Sequence, residues 1–123
     1  MSIMVLAIDD SRTIRSMVHQ ALAAAGFSCE LAEDGVEGVR RFEELRPDVV
    51  ITDINMPHMD GFGVIEAIRK DVANRRVPIL VMTTETAKEF KTRARDAGAT
   101  GWIGKPFDDQ SLVQVIRRVT GAA

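Results

Sequence analysis

Apolar residues fall into five short runs, and most of them close on a polar or charged residue. The runs cover residues 3–8, 27–32, 49–53, 77–83 and 100–105. Rich in Val, Ile and Leu, they predict strands, and the unbroken ones suit strands buried on both faces. The run at 27–32 is more polar and fits a sheet edge. Helical spacing fills the gaps between the runs. Ile14, Met17, Val18, Ala21, Leu22 and Ala25 form one stripe behind a cap at Ser11 or Asp10, with Gly26 as the stop. Asp34 caps a second helix through Leu45, with Val36, Val39 and Phe42 facing inward and Pro47 past its end. Gly61 opens a third, whose stripe is Ile65, Ile68 and Val72. A fourth helix over 86–97 has only Phe90, Ala94 and Ala97 to bury, while Lys88, Lys91, Arg93 and Arg95 stay solvated. It is the least firmly held. Asp108 or Asp109 caps the last helix, which carries Leu112, Val115, Ile116 and Val119.

Five strands alternating with five helices over short connections specify a doubly wound α/β domain with a parallel sheet. Ligands of such sheets bind beyond the carboxyl ends of the strands, where strand order reverses. Polar chemistry recurs at that position: Asp9-Asp10 after the first strand, Asp53 after the third, Thr83 after the fourth and Lys105 after the fifth. Polar residues at four equivalent strand ends predict one site.

Size and charge narrow the function classes. A chain of 123 residues fits a single domain with its own core. The net charge of -2 gives no electrostatic grip on nucleic acid. Cys29, the one cysteine, has no partner for an internal disulfide and suits a reducing compartment. It reads as a small buried side chain rather than a nucleophile. The first apolar run is too short to span a membrane and follows no basic leader, so a cytoplasmic protein is expected. His19 and His58 read as solvent-facing residues and the six methionines as core filler.

Asp9, Asp10 and Asp53 would crowd three carboxylates into one crevice. Two unit charges about 4 Å apart interact by roughly 4 kcal/mol at an effective dielectric near 20, so a cation is required. Hard oxygen donors with room for water and phosphate suit Mg²⁺. Lys105 adds a positive charge that can pair with Asp53 or with an anion bound to it. A carboxylate in that setting is a nucleophile toward phosphorus, and Thr83 offers a hydroxyl to a phosphoryl oxygen.

The segments Ile8-Asp9-Asp10-Ser11, Thr52-Asp53-Ile54-Asn55-Met56-Pro57-His58-Met59-Asp60-Gly61, Met82-Thr83-Thr84-Glu85, and Asp96 to Phe107 with Lys105-Pro106 within it together resemble the receiver domain of two-component response regulators. The stand-alone chemotaxis, CheY-like type is the nearest. The resemblance covers essentially the whole chain and implies the flavodoxin-like strand order 2-1-3-4-5. It implies that Asp53 accepts a phosphoryl group from a phosphohistidine of a sensor kinase. Asp10, Asp53 and the Asn55 main-chain carbonyl would bind Mg²⁺, with Asp9 acting mainly through a bound water. Thr83 and Lys105 would hold the phosphoryl oxygens, and a cis bond is implied at Lys105-Pro106. The implied partners are a chemotaxis histidine kinase, a flagellar motor switch protein and a phosphatase, with the chain a monomer and no enzyme beyond its own phosphotransfer and dephosphorylation.

Two positions depart from the family's usual pattern. Trp102 stands where Tyr or Phe is common, and its larger ring carries an N–H that needs a partner when buried. Thr84 stands where a smaller residue is common and narrows access to the acceptor. Asn55 and Glu85 flank the site and are placed to orient or block an attacking water. Output is expected by protein binding, since the 123 residues leave no room for an output domain; the expected readout face joins residues 88–95, 113–118 and Trp102. A phosphorelay intermediate or a phosphate sink would use the same site. An aspartyl-phosphate phosphohydrolase is disfavoured because Asn55 stands where a second Asp is needed. A flavin carrier is disfavoured because two carboxylates follow the first strand.

Overall fold

In a computed structural model describing residues 3–121, the apolar runs become the strands of one parallel sheet. They are β1 Met4–Ile8, β2 Ser28–Ala32, β3 Val49–Thr52, β4 Ile79–Thr83 and β5 Gly101–Gly104. Their order is β2-β1-β3-β4-β5, so the polar run lies at an edge and the three most apolar runs at the centre. The register brings Ile8 level with both Ala32 and Thr52, and Thr83 level with Gly104. The strands therefore end along a common rim.

The helices are α1 Arg12–Ala24, α2 Gly35–Leu45, α3 Gly61–Arg69, α4 Lys88–Ala97 and α5 Asp109–Thr120. Side chains alternate across a strand, so each unbroken run divides between two cores. Val5 and Ala7 meet Val18 and Leu22 of α1 and Leu112 and Ile116 of α5. Leu6 and Ile8 point the other way, toward Phe42 of α2, Ile65 and Ile68 of α3 and Ala94 of α4. Both faces of the sheet are thus covered, as the almost wholly apolar sequences of β1, β3 and β4 require.

Local chemistry sets the helix starts. The side chains of Ser11, Asp34, Asp60 and Asp108 accept hydrogen bonds from the N–H groups of Ile14, Glu37, Gly63 and Ser111. Helix α4 begins at Lys88 rather than Thr86, and Ala87 gives it no side-chain cap. Ala94 is its one fully buried residue.

Three expected core positions are turned outward. Met17 is 42% exposed, because Ile14, Val18, Ala21 and Leu22 already fill the strip of α1 against the sheet. Val36 is 52% exposed, and the inner face of α2 is made instead by Gly35, Gly38 and Phe42. Val72 is 69% exposed: α3 stops at Arg69, and Asp71 caps a separate 3-10 turn, Val72–Asn74. Side-chain competition from Asp71 for the backbone broke a periodicity that residue spacing alone extended. Among the described residues, no helix is long and apolar enough to cross a membrane.

The start of α3 leans directly on the backbone of the third strand's end. A Cβ at Gly61 would collide with the carbonyl oxygen of Asp53 and the Cα of Ile54. Gly61→Ala should therefore lower stability by about 1–3 kcal/mol in urea titration. Gly104→Ala, where a Cβ meets nothing within 4 Å, should stay within about 0.5 kcal/mol of the parent.

Candidate functional site

Past the strand ends, the parallel hydrogen-bond ladder runs on for one more residue and fixes the backbone of three polar side chains. Asp9 N–H donates to Ala32 O at 3.1 Å, Asp53 N–H to Ile8 O at 3.0 Å and Lys105 N–H to Thr83 O at 3.0 Å. Each side chain thus starts from an anchored Cα. The Lys105-Pro106 bond is cis.

The Lys105 ammonium lies between two carboxylates, with Nζ 2.7 Å from Asp9 Oδ2 and 2.7 Å from Asp53 Oδ2. All three side chains are nearly buried, Lys105 at 9% exposure, Asp9 at 4% and Asp53 at 11%. The remaining oxygens also accept protein donors: Asp9 Oδ1 from Ser11 N–H at 2.9 Å, Asp53 Oδ1 from Ile54 N–H at 2.6 Å. Arg15 of α1 donates to the Asp9 carbonyl oxygen at 2.7 Å. Asp10 stands at the open, exposed side of the pair.

Oxygens of Asp9, Asp10 and Asp53 lie within 4.8 Å of one another. One lysine cannot balance three such charges, and a set of hard oxygen donors open to solvent on the Asp10 side fits a divalent cation such as Mg²⁺. Burial pushes the Asp9 carboxyl above its ordinary value, against the hydrogen bonds from Lys105 and Ser11. Burial also pulls the Lys105 ammonium down, but hydrogen bonds to Asp53 and Asp9 and their charges outweigh it, so its pKa is raised.

The rim carries the other expected residues as well. Thr83 is buried, and its Oγ1 accepts the Glu85 N–H at 3.3 Å, leaving its own hydrogen to donate elsewhere. Thr84 is exposed and Pro106 is exposed. Asn55 Nδ2 donates to Glu85 Oε1 at 3.2 Å, tying the loop after β3 to the loop after β4. Trp102 is half-buried on β5, packs against the core beside α4 and has Lys91 Nζ 5.9 Å from its ring centroid. Cys29 is half-buried in β2 rather than fully enclosed, and burial raises its thiol to about 11, which makes it a poor nucleophile.

Some of this was not readable in advance. Sequence reasoning paired Lys105 with Asp53 but missed its equal bond to Asp9, because nothing in the spacing says which carboxylate a lysine 96 residues away will reach. Ser11 was expected only as a helix cap, and its N–H also serves Asp9. Arg15 gave a signal only as a basic residue one turn into α1. The Asn55–Glu85 bond was missed although both residues were singled out.

Over residues 5–117 the chain matches the family model of the response regulator receiver domain. The chemotaxis protein CheY4 of Vibrio cholerae is 43% identical, with a TM-score of 0.92 and alignment over 97% of this chain and 99% of that one. The receiver domain of the sensor histidine kinase PA1611 from Pseudomonas aeruginosa PAO1 is 26% identical, with a TM-score of 0.90 over 98% of this chain and 99% of that one. That structure has a magnesium ion coordinated in its active site cleft. The response regulator MprA of Mycobacterium leprae is 36% identical over 113 residues, which are 92% of this chain and 49% of that protein. The chain spans about half the length of the curated relatives it matches.

Because the Asp9 pKa is raised on folding, its contribution to stability is full below the ordinary carboxylate range and is lost as pH rises through its folded value. In chelator, the urea midpoint of the parent should fall relative to that of Asp9→Asn as pH rises above the ordinary carboxylate range. A parent midpoint that holds level with or gains on the variant's over that rise would contradict this. Lys105 acts with the same sign at the alkaline end: its contribution is full below the ordinary lysine value and is lost as pH rises through its raised one.

Proposed function

The chain belongs to the response regulator receiver domain family, and on that premise we propose that it is a switch in which Asp53 takes a phosphoryl group from a phosphohistidine of a sensor kinase. The observation that carries this reading is the Lys105 ammonium held 2.7 Å from Asp53 Oδ2 beside two further carboxylates. An Asp53 carboxylate oxygen attacks phosphorus and forms the O–P bond. The N–P bond breaks, and its electron pair returns to the imidazole nitrogen of the donor. Lys105 is already at hydrogen-bond distance from the attacking group and passes to a phosphoryl oxygen as charge builds there.

Asp10 and Asp53, with the Asn55 main-chain carbonyl, are the residues proposed to hold Mg²⁺, and by the family resemblance Asp9 acts mainly through a bound water. When bound, the metal neutralises charge on the transferred group. Thr83 turns its free hydroxyl hydrogen to a phosphoryl oxygen. Its bond to the Glu85 N–H carries the 84–87 loop with it, and helix α4, uncapped and thinly packed, repacks with Trp102. That is a population shift in an element held less firmly than its neighbours. The chemistry is self-catalysed transfer and loss of the phosphoryl group, without turnover of a separate substrate.

The readout face proposed is the exposed surface of α4 and α5 with Trp102 between them, and its ligand is a protein. Likeness to a chemotaxis protein over nearly the full length of both chains supports a flagellar motor switch protein as that target and a chemotaxis kinase as donor. A phosphorelay intermediate is the second reading, supported by the likeness to a receiver domain of a histidine kinase. Binding to a motor switch protein that increases with beryllofluoride would favour the first reading; transfer onward to a histidine phosphotransfer protein would favour the second.

Incubation with a radiolabelled histidine kinase in Mg²⁺ should label the parent and leave Asp53→Asn unlabelled, and chelator should suppress labelling of the parent. Label on Asp53→Asn would overturn the acceptor assignment. Thr84→Ala should lose its phosphoryl group faster than the parent, because the exposed threonine at the rim narrows the approach of water; equal or slower loss would refute that role for Thr84.

A further inference from the structure

His58 lies at the tip of the loop that links Asp53 to α3, and its backbone is in the left-handed region at φ 70°. Met59 N–H donates to Pro57 O at 2.8 Å, so the chain closes a three-residue turn with His58 at its centre. With positive φ at the central residue this is the rare and strained form of the turn. A non-glycine residue persists in such a conformation only where its surroundings over-determine it.

Two contacts from the neighbouring element hold it. The His58 ring donates from Nδ1 to Asp34 Oδ2 at 2.9 Å, while Asp34 Oδ1 caps α2 by accepting from Glu37 N–H at 2.8 Å. The Glu37 N–H and then the His58 hydrogen bond keep the Asp34 carboxyl below its ordinary range. One residue on, α2 begins with Gly35, where a Cβ would collide with the Met59 carbonyl oxygen. The loop is closed at its base by Gly61 N–H on Ile54 O at 2.8 Å. Its tip is therefore clamped to α2 and its base to the acceptor strand, with Asn55 in between.

We propose that His58, acting through Asp34, is a positioning residue for cation binding: it fixes the turn whose near end presents the Asn55 carbonyl to the site. The inference rests on the reading of Asp10, Asp53 and Asn55 as metal ligands. It requires two separate properties of residue 58, tolerance of the left-handed backbone and a donor at the δ position aimed at Asp34. Asn supplies both, since its Nδ2 occupies the place of the imidazole Nδ1 and it enters the left-handed region readily. Glycine supplies the backbone alone.

Calorimetric titration with Mg²⁺ at pH 7 tests this in four variants. His58→Gly should bind about three-fold more weakly than the parent, in keeping with a pair exposed on one side, while His58→Asn should stay within about 1.5-fold. Asp34→Ser keeps an oxygen to cap α2 but loses the carboxylate that faces His58. It should match His58→Gly, and the double variant should be no weaker than either alone. At saturating Mg²⁺ the phosphotransfer rate of His58→Gly should return to that of the parent, which general loosening of the fold would not allow. The proposal is overturned if His58→Gly binds like the parent, if His58→Asn is as weak as His58→Gly, or if the two losses multiply in the double variant. Failure of the parent itself to bind Mg²⁺ would instead defeat the metal-site reading on which the proposal stands.

Discussion

One buried ammonium between two buried carboxylates sets the terms for the rest of this molecule. At an effective dielectric near 20, two carboxylates 4–5 Å apart repel by roughly 3–4 kcal/mol, and desolvation adds to that cost. Lys105 offsets the repulsion by touching both Asp9 and Asp53 at 2.7 Å, but Asp10 lies within 4.8 Å of the same oxygens. The fold is thereby left with an uncompensated negative charge facing solvent. A divalent cation is what such a site is suited to take, because it restores a balance the side chains alone cannot reach.

The sheet makes this arrangement possible by being rigid where the charges sit. Strands buried on both faces carry the site residues one step past their ends, with backbone N–H groups still in the ladder. Around this rim the loops are tied to each other: Asn55 to Glu85, Thr83 to Glu85, His58 to Asp34. In the proposed switch, charge added at Asp53 would reach α4 through Thr83 and the loop it holds by the Glu85 N–H. That helix has one buried residue and no side-chain cap, whereas the four other α-helices are all capped. A structure with a stiff centre and one loosely held flank can alter a surface without disturbing its core.

Glycine has a comparable role at the loop bases. Gly35 and Gly61 lie where the backbone of one element presses on that of another, against Met59 and Asp53 respectively. A larger residue at Gly35 would part the loop from α2, and one at Gly61 would part α3 from the end of β3, so both positions fix the path of the chain beside Asp53.

The sequence by itself determined the element order, the buried strands and the polar residues at their ends, because apolar periodicity and strand-end carboxylates are properties of neighbours along the chain. It led to Asp9, Asp10, Asp53, Thr83 and Lys105 as one site through topology alone. It also placed Val72 and Val36 in the core, where local competition from Asp71 and the close approach of Gly35 and Gly38 turned them outward. Only the tertiary structure decided that Lys105 bridges two carboxylates, that Asn55 reaches Glu85, and that Asp34 serves both a helix and a histidine 24 residues away. Those contacts join residues distant along the chain, and their geometry depends on how the strands register and how far each loop projects, quantities that no local pattern encodes.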